Sequence, residues 1–234
     1  MLRERLERVE DRIRAAANRA GRKREDIALI AVTKKFPAEV IREAYDLGLR
    51  IFGENYVQEF EAKHPALAGL AGAEFHLIGH LQSNKARSAA DLFQVIQTVD
   101  SEKLARRLDA MNKPQEVMIE VKLSDEASKF GAAPEELAKL IEAIQACPNL
   151  RLTGLMTIPP WSDDPEITRP YFRRLAAIAR EHGSTHSLAK LSMGMSHDLE
   201  AAIEEGATHI RVGTALFGPR PKPPGSTLMK LDAP

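Results

Sequence analysis

The stretch ALIAVTKKFPAEV (28–40) decides the fold, because it has the pattern of one strand that turns directly into a helix. Its first six residues form a short apolar run of the kind that favours a strand. Pro37 ends that run, and proline suits the first turn of a helix. Between the two predicted elements lie two adjacent lysines, Lys34 and Lys35.

The two lysines raise a chemical question. Alternation along a strand places Lys34 on the face of Ile30 and Val32, and it places Lys35 on the opposite face. A buried ammonium group is costly unless a partner pairs with it or a reaction uses its amine. We therefore expect a partner or a chemical role for Lys34, and we expect Lys35 to face solvent.

The strand-then-helix unit recurs along the 234 residues of the chain. Strands are predicted at 28–33, 50–53, 74–79, 94–99, 116–123, 151–158, 187–194 and 209–213. The helical patterns between them cover 38–47, 55–63, 83–90, 101–111, 134–146, 165–182 and 197–205. Strands joined through helices pair in parallel. The count of eight predicts a single-domain (β/α)8 TIM barrel, with a doubly wound open sheet as the alternative.

Two segments lie outside this repeat. Apolar residues at helical spacing over 2–20 predict an extra N-terminal helix, which we expect to cover the bottom or the side of the barrel. The end of the chain, 219–234, is rich in proline and glycine. It predicts a loosely packed tail behind a barrel domain of residues 1–218.

Composition argues against several classes of function. Lysine plus arginine equals aspartate plus glutamate at 33 each, which argues against nucleic-acid binding. No apolar run reaches transmembrane length, and the charged N-terminus is unlike a signal peptide. The single cysteine, Cys147, excludes an internal disulfide and predicts a reducing, cytoplasmic location. The seven histidines lack metal-binding spacing, so we expect no structural metal.

Polar residues collect where the predicted strands end. In a barrel of this kind the active site is built at the C-terminal ends of the strands. Lysine, asparagine, histidine, serine and arginine side chains should therefore converge on one mouth: Lys34, Asn55, His76, Ser192, Ser196 and Arg211.

The loops after the last two strands suggest a phosphate ligand, as in many such barrels. Gly194 and Ser196 precede a helical pattern, Ser196 is a candidate N-cap, and free backbone N–H groups there attract anions. Gly213 and Thr214 add small residues and backbone donors after strand eight. The alternative stays open that Ser196 only caps its helix and Gly213 only forms a tight turn. Asp198, in the first helical turn, would work mildly against an added phosphate.

A lysine beside a phosphate site suggests a Schiff base with a carbonyl compound. Class I aldolases and pyridoxal phosphate (PLP) proteins both use a lysine whose pKa is lowered by desolvation. Arg211 bears on the choice, because a guanidinium donates hydrogen bonds but cannot accept a proton. A pyridine nitrogen that faced Arg211 would stay unprotonated. A phosphate contact or a surface position would explain this arginine equally well. The strand face on which Arg211 lies therefore does not decide between an aldolase and a PLP protein.

Long motifs in this chain resemble those of a known family. They are AVTKKFP (31–37), FGENYVQE (52–59), FHLIGHLQSNK (75–85), GLMTIPP (154–160) and the segment 191–218. In this order they resemble the YggS/PROSC family of PLP homeostasis proteins, which is similar to the N-terminal barrel of alanine racemase. The resemblance covers nearly the whole predicted domain, which supports the barrel.

The resemblance implies a PLP site at the predicted mouth. Lys34 would carry PLP as an internal aldimine, and Arg211 would lie at the pyridine nitrogen. Four residues would lie near the cofactor phosphate: Ser192, Ser196, Gly213 and Thr214. Three more would lie near the ring or form its walls: Asn55, Met195 and His76. Lys129 and Gly131 match another loop of the family, to which the residues assign no role.

The expected function is PLP binding and homeostasis, without robust catalytic activity. Racemisation needs an acid/base group on each face of the carbanion, and alanine racemase takes one of them, a tyrosine, from a second domain. Here about sixteen residues follow Gly218, and of the three tyrosines only Tyr56 is expected near the mouth. We expect a monomer that hands PLP to PLP-dependent apoenzymes. The alternatives are a PLP-dependent amino-acid racemase that uses Tyr56 or water, and more distantly an aldolase-type enzyme.

Overall fold

Eight parallel strands close into a barrel in chain order, and the eighth pairs with the first. The structure is a computed structural model that describes residues 1–124, 126, 130–183 and 188–219. The strands are β1 (Ala28–Val32), β2 (Ile51–Glu54), β3 (Glu74–Leu77), β4 (Val95–Val99), β5 (Gln115–Glu120), β6 (Leu150–Met156), β7 (Lys190–Ser192) and β8 (His209–Val212). The predicted (β/α)8 barrel is therefore confirmed, and the open sheet is excluded.

Helices follow the strands around the outside of the barrel. They are α1 (Leu2–Arg19), α2 (Ala38–Asp46), α3 (Val57–Lys63), α4 (Ala86–Leu92), α5 (Glu102–Asp109), α6 (Leu137–Gln145), α7 (Pro165–Gly183), α8 (Leu199–Glu204) and α9 (Thr214–Phe217). Short 3-10 turns lie at Arg24–Asp26, His64–Leu67, Ser83–Lys85 and Pro134–Glu136. The four-residue helix α9 was not predicted, because its start is a glycine and a threonine that also suit a loop.

The strand β1 shows how the barrel divides its apolar residues between two sides. Leu29 and Ala31 belong to the main hydrophobic cluster, which the wall shares with the apolar faces of the helices. Ile30 and Val32 are also buried but lie outside that cluster, inside the barrel. Gly53 is opposite Val32 on β2, and a Cβ added there would come within 2.8 Å of Ile30 Cγ2. The barrel interior is therefore filled at this level.

The extra helix α1 covers the side of the barrel, where it packs against α8 and α9. Arg12 forms a bidentate ion pair with Glu200 at 2.6 and 2.7 Å. Arg22, just after the helix, donates to the carbonyl oxygens of Ile203 and Ala207. Of the two predicted places for this helix, the side is the correct one.

Some predictions fall outside the described residues. Lys129 and residues 220–234 are among these, so the division into a barrel of 1–218 and a tail of 219–234 stays a prediction. Within the described ranges, no helix combines the length and apolar character needed to cross a lipid bilayer. The same ranges contain no group of His, Cys, Asp and Glu side chains that could hold a metal ion.

Candidate functional site

A cavity of about 240 Å³ opens at the C-terminal end of the barrel. It brings together seven of the nine residues predicted for the site: Lys34, Asn55, Met195, Ser196, Arg211, Gly213 and Thr214. Its apolar walls come from Val32, Ile78 and Ile158, and Trp161 and His197 also line it. These residues are distant in sequence, and they meet because the parallel strands of the barrel end at one rim.

Lys34 lines this cavity, whereas Lys35 is exposed. The reason differs from the predicted alternation, because β1 ends at Val32 and both lysines lie in the turn that follows. Lys35 has a φ of 65°, in the left-handed region that non-glycine residues rarely occupy. The turn, rather than the strand, therefore sends the two lysine side chains in different directions.

Ser196 forms a polar corner of the cavity and does not cap α8 as predicted. That helix begins at Leu199, and Asp198 holds its N-cap position. The Ser196 hydroxyl oxygen accepts hydrogen bonds from the backbone N–H groups of Gly213 at 3.3 Å and Ala215 at 3.2 Å. A serine hydroxyl and the first N–H groups of α9 thus meet at one place, an arrangement that suits an anionic group.

The loop that carries Ser196 is held from behind by two elements. Arg12 of α1 donates to the Ser196 carbonyl oxygen at 2.9 Å while it pairs with Glu200 of α8. Gly194 has a φ of 88°, and a Cβ added there would lie 2.4 Å from the Cβ of Ala202. The loop therefore packs too closely on α8 for any other residue at this position. The sequence carries no local signal for the contact from Arg12, because it joins residues 184 positions apart.

Arg211 is buried in the barrel interior and also lines the cavity. It donates to the Ser192 hydroxyl oxygen and to the Thr157 carbonyl oxygen, both at 2.8 Å. Burial lowers the pKa of Arg211 to about 10, although the carboxylates of Asp198 and Glu120 oppose the shift. The guanidinium therefore stays charged at neutral pH and is fixed in orientation by two neutral acceptors.

A chain of hydrogen bonds runs from Arg211 down through the barrel. The Ser192 hydroxyl donates to Gln97 Oε1 at 2.6 Å, and Gln97 Nε2 lies 2.8 Å from His76 Nδ1. His76 Nε2 lies 3.5 Å from Glu74 Oε2, and the bond from His76 lowers the pKa of Glu74. With the imidazole proton on Nε2, every bond points the same way, from a guanidinium to a carboxylate.

The hydrogen-bond chain includes two residues that were predicted to lie at the cofactor site. Ser192 was expected near a phosphate and His76 at the wall of the site, but neither lines the cavity. Both are buried below Arg211 and support it. Gln97, the link between them, was missed. Its only signal is a polar residue within the apolar run of β4.

Asn55 lies between this cavity and a larger one of about 450 Å³. The second cavity is lined by Tyr56, Lys85, His80 and Phe130, and the last two stack with ring centroids 3.8 Å apart. Asn55 Oδ1 is buried without a hydrogen-bond partner among the described residues. A buried amide oxygen of this kind calls for a donor from a ligand or from water.

Comparison with known proteins identifies the family. Residues 5–221 match the alanine racemase N-terminal domain family. The pyridoxal phosphate homeostasis protein of Aquifex aeolicus is 46% identical over 223 residues, which cover 93% of this chain and 97% of the relative. The corresponding protein of Pseudomonas aeruginosa is 47% identical over 221 residues, with 93% and 95% covered.

Solved structures agree with this assignment. PipY of Synechococcus elongatus, solved with PLP bound, is 38% identical with a TM-score of 0.83, and the match covers 93% of this chain and 100% of PipY. Alanine racemase of Corynebacterium glutamicum, 21% identical, shares the fold at a TM-score of 0.67, with 92% of this chain and 61% of the racemase covered. The chain therefore belongs to the alanine racemase N-terminal domain family and, within it, to the pyridoxal phosphate homeostasis proteins.

Proposed function

We propose that this protein binds PLP reversibly in the mouth cavity, with covalent attachment at Lys34, and takes part in intracellular PLP homeostasis. The observation that carries the proposal is the meeting of Lys34, Arg211 and Ser196 around one cavity. An amine, a fixed guanidinium and an anion-binding corner match the aldehyde, the ring nitrogen and the phosphate of PLP. The PLP-bound PipY relative, 38% identical, supports the same ligand.

The residues present fit this cofactor in chemistry as well as in charge. Ser196, Gly213 and Thr214 would hold the phosphate, and the unpartnered amide oxygen of Asn55 would receive a donor at the ring side. When bound, PLP supplies an aldehyde that reacts with primary amines. Lys34 lines the same cavity and would hold the aldehyde end of PLP through its Nζ.

The residues around the cavity favour binding of PLP over catalysis with it. Arg211 cannot accept a proton, so a ring nitrogen that faces it stays unprotonated and draws electrons weakly. A racemase also needs a second acid/base group on the opposite face of its substrate. Tyr56 lines the adjoining cavity rather than the one that Lys34 lines, and the hydroxyl of Tyr45 donates to the Ala71 carbonyl oxygen.

The proposal is tested by uptake and trapping. Purified protein is mixed with PLP, its absorbance is recorded, and borohydride reduction is followed by mass mapping of the pyridoxyl group. We expect stoichiometric labelling at Lys34, none in Lys34→Ala, and wild-type labelling in Lys35→Ala. Absence of uptake, or labelling that persists in Lys34→Ala, would contradict the proposal.

Catalysis is tested separately by deuterium exchange at the Cα of several amino acids. Wild-type protein loaded with PLP is compared with Lys34→Ala and with free PLP at the same concentration. We expect exchange no faster than that of free PLP. Faster exchange that disappears in Lys34→Ala would establish the racemase alternative instead.

We further propose that the protein is a cytoplasmic monomer that delivers PLP to PLP-dependent apoenzymes. Its single cysteine, Cys147, is buried, and burial raises the pKa of the thiol, which suits a reducing compartment. Light scattering should give the monomer mass. Loaded protein should activate an apoenzyme in the presence of a scavenger that removes free PLP, and failure to do so would contradict delivery.

A further inference from the structure

The turn after β1 is held by a buried ammonium group that the proposed function does not use. Lys63, the last residue of α3, has a side chain only 10% exposed, and its Nζ lies 2.7 Å from Glu54 Oε1 and 2.9 Å from Glu59 Oε1. The same Nζ donates to the carbonyl oxygens of Thr33 at 3.2 Å and Phe36 at 3.1 Å. An ammonium has three N–H bonds, so these four acceptors engage it fully.

The two carboxylates also hold the turn directly. Glu54 Oε1 accepts a hydrogen bond from the Thr33 hydroxyl at 2.8 Å, and the Glu54 side chain is fully buried. Glu59 Oε1 accepts from the backbone N–H of Lys35 at 2.5 Å. Both chain neighbours of Lys34 are therefore anchored to one ionic cluster on the outer side of β1 and β2.

This anchoring opposes a backbone that would otherwise relax. Lys35 has a φ of 65°, and a non-glycine residue in this left-handed region is strained. The strand ends at Val32, although the Thr33 N–H still donates to the Gly53 carbonyl oxygen of β2 at 3.0 Å. The turn after it is closed by the Phe36 N–H, which donates to the Thr33 carbonyl oxygen at 3.1 Å, and both lysines lie inside that turn. Rotation of the peptide units in this turn would redirect both lysine side chains.

We propose that Lys63, Glu54 and Glu59 form a positioning cluster that selects Lys34 over Lys35 as the amine that bonds to PLP. The inference rests on the proposed function and explains which of two adjacent amines serves it. The cluster keeps Lys34 at the cavity and leaves Lys35 in solvent. Lys63 itself does not line the cavity, so this third amine does not compete for the cofactor.

The test removes one anchor at a time. Glu59→Met removes the acceptor of the Lys35 N–H while Lys63 keeps Glu54. Glu59→Gln restores an acceptor oxygen at the same place and is the conservative rescue. Glu61→Met, at an exposed position of the same helix, is the matched control.

Two readouts separate this inference from the proposed function. The first is hydrogen–deuterium exchange of peptides spanning residues 31–37 without any cofactor. We expect about tenfold faster exchange in Glu59→Met, and wild-type exchange in Glu59→Gln and Glu61→Met. The second is the share of reduced pyridoxyl label on each lysine, which should shift in part from Lys34 to Lys35 in Glu59→Met alone.

The outcomes that would overturn the inference are distinct. Unchanged exchange in Glu59→Met would show that the cluster does not hold the turn. Faster exchange with all label still on Lys34, at wild-type affinity, would show that the turn does not select the amine. Lys63→Met gives a second test. The unfolding free energy of this variant is measured as well, because the substitution leaves Glu54 buried without its cation. A wild-type protein without label on Lys34 would instead refute the proposed function. The hydrogen–deuterium exchange measurement would still test whether the cluster holds the turn.

Discussion

The two ends of the barrel are both rich in polar side chains, but they use them differently. At the bottom, Glu116 binds the ammonium of Lys190 and accepts from Thr153 Oγ1 at 2.9 Å. Burial alone would raise the pKa of Glu116, but the hydrogen bonds from Lys190 and Thr153 outweigh it, and the pKa is lowered. At the mouth, two cations, Lys34 and Arg211, line one cavity.

The contrast teaches which polar residues contribute to stability and which to binding. Charges that neutralise one another in a closed cluster stabilise the fold and leave little for a ligand. Cationic groups that line an open cavity attract an anionic ligand. The bottom of this barrel is therefore a structural cluster, and the mouth is the place where a phosphate compound would bind.

The largest expected effect comes from matched substitutions at the two ends. Lys34→Met should abolish covalent PLP attachment and leave the unfolding free energy nearly unchanged. Lys190→Met should leave attachment intact and lower the unfolding free energy by about 1 kcal/mol, because Glu116 loses its ammonium partner but keeps its ion pair with Arg151. Trapping and urea unfolding on both variants check this. Loss of attachment in Lys190→Met would show that the bottom cluster also affects PLP binding, which would contradict the comparison.

The second prediction concerns the hydrogen-bond chain that joins the two ends. Gln97→Met should lower the unfolding free energy by about 1–3 kcal/mol and weaken PLP binding roughly fivefold, because Ser192 loses the acceptor through which it orients Arg211. Gln115→Met is the control, since Gln115 is as deeply buried but bonds only to backbone carbonyls at the bottom. It should cost stability without weakening PLP binding, and equal binding losses in both variants would contradict a role for the chain.

The third prediction is a pH dependence at the bottom of the barrel. Burial, together with His76, lowers the pKa of His209 to about 3. The unfolded chain takes up this proton near pH 6.5 and the folded chain does not, so stability is complete above pH 6.5 and is lost as pH falls toward 3. The slope should be about 1.4 kcal/mol per pH unit. Urea unfolding at pH 7.5 and 5.5 should show a shallower slope for His209→Asn, and equal slopes would refute the assignment.

The smallest expected effect lies at the edge of the mouth. Arg12→Met removes the donor that holds the Ser196 carbonyl oxygen, so PLP affinity should fall about two- to fivefold with a stability loss below about 1 kcal/mol. Arg19→Met is the matched control. Arg19 lies on α1, as Arg12 does, and pairs with Glu204 of α8, but it does not reach the loop that carries Ser196. Titration with PLP and with pyridoxal should show that only the phosphate-bearing ligand is affected by Arg12→Met.

Local sequence patterns predicted much of this structure. The residues that these patterns placed wrongly or missed show what the patterns do not contain. The strand and helix periodicities predicted the barrel, and the strand ends predicted which residues would meet at the mouth. Ser196 was a candidate cap for its own helix, but its hydroxyl accepts from Gly213 and Ala215, which lie at the start of α9. Gln97 was missed for a related reason. A polar residue in an apolar strand has meaning only when the residues across the barrel are known.

The order of apolar strands and helices in the chain by itself determined a set of eight parallel strands joined through helices, since alternation of burial along short segments is a local property. Closure of the sheet was decided by the pairing of β8 with β1. Tertiary structure alone decided which of Lys34 and Lys35 faces the cavity. In the proposed positioning cluster, that choice depends on an ammonium from α3 and two carboxylates that reach the turn after β1 from elsewhere in the chain. Hydrogen bonds between distant segments set such directions, and they leave no periodic trace in the sequence.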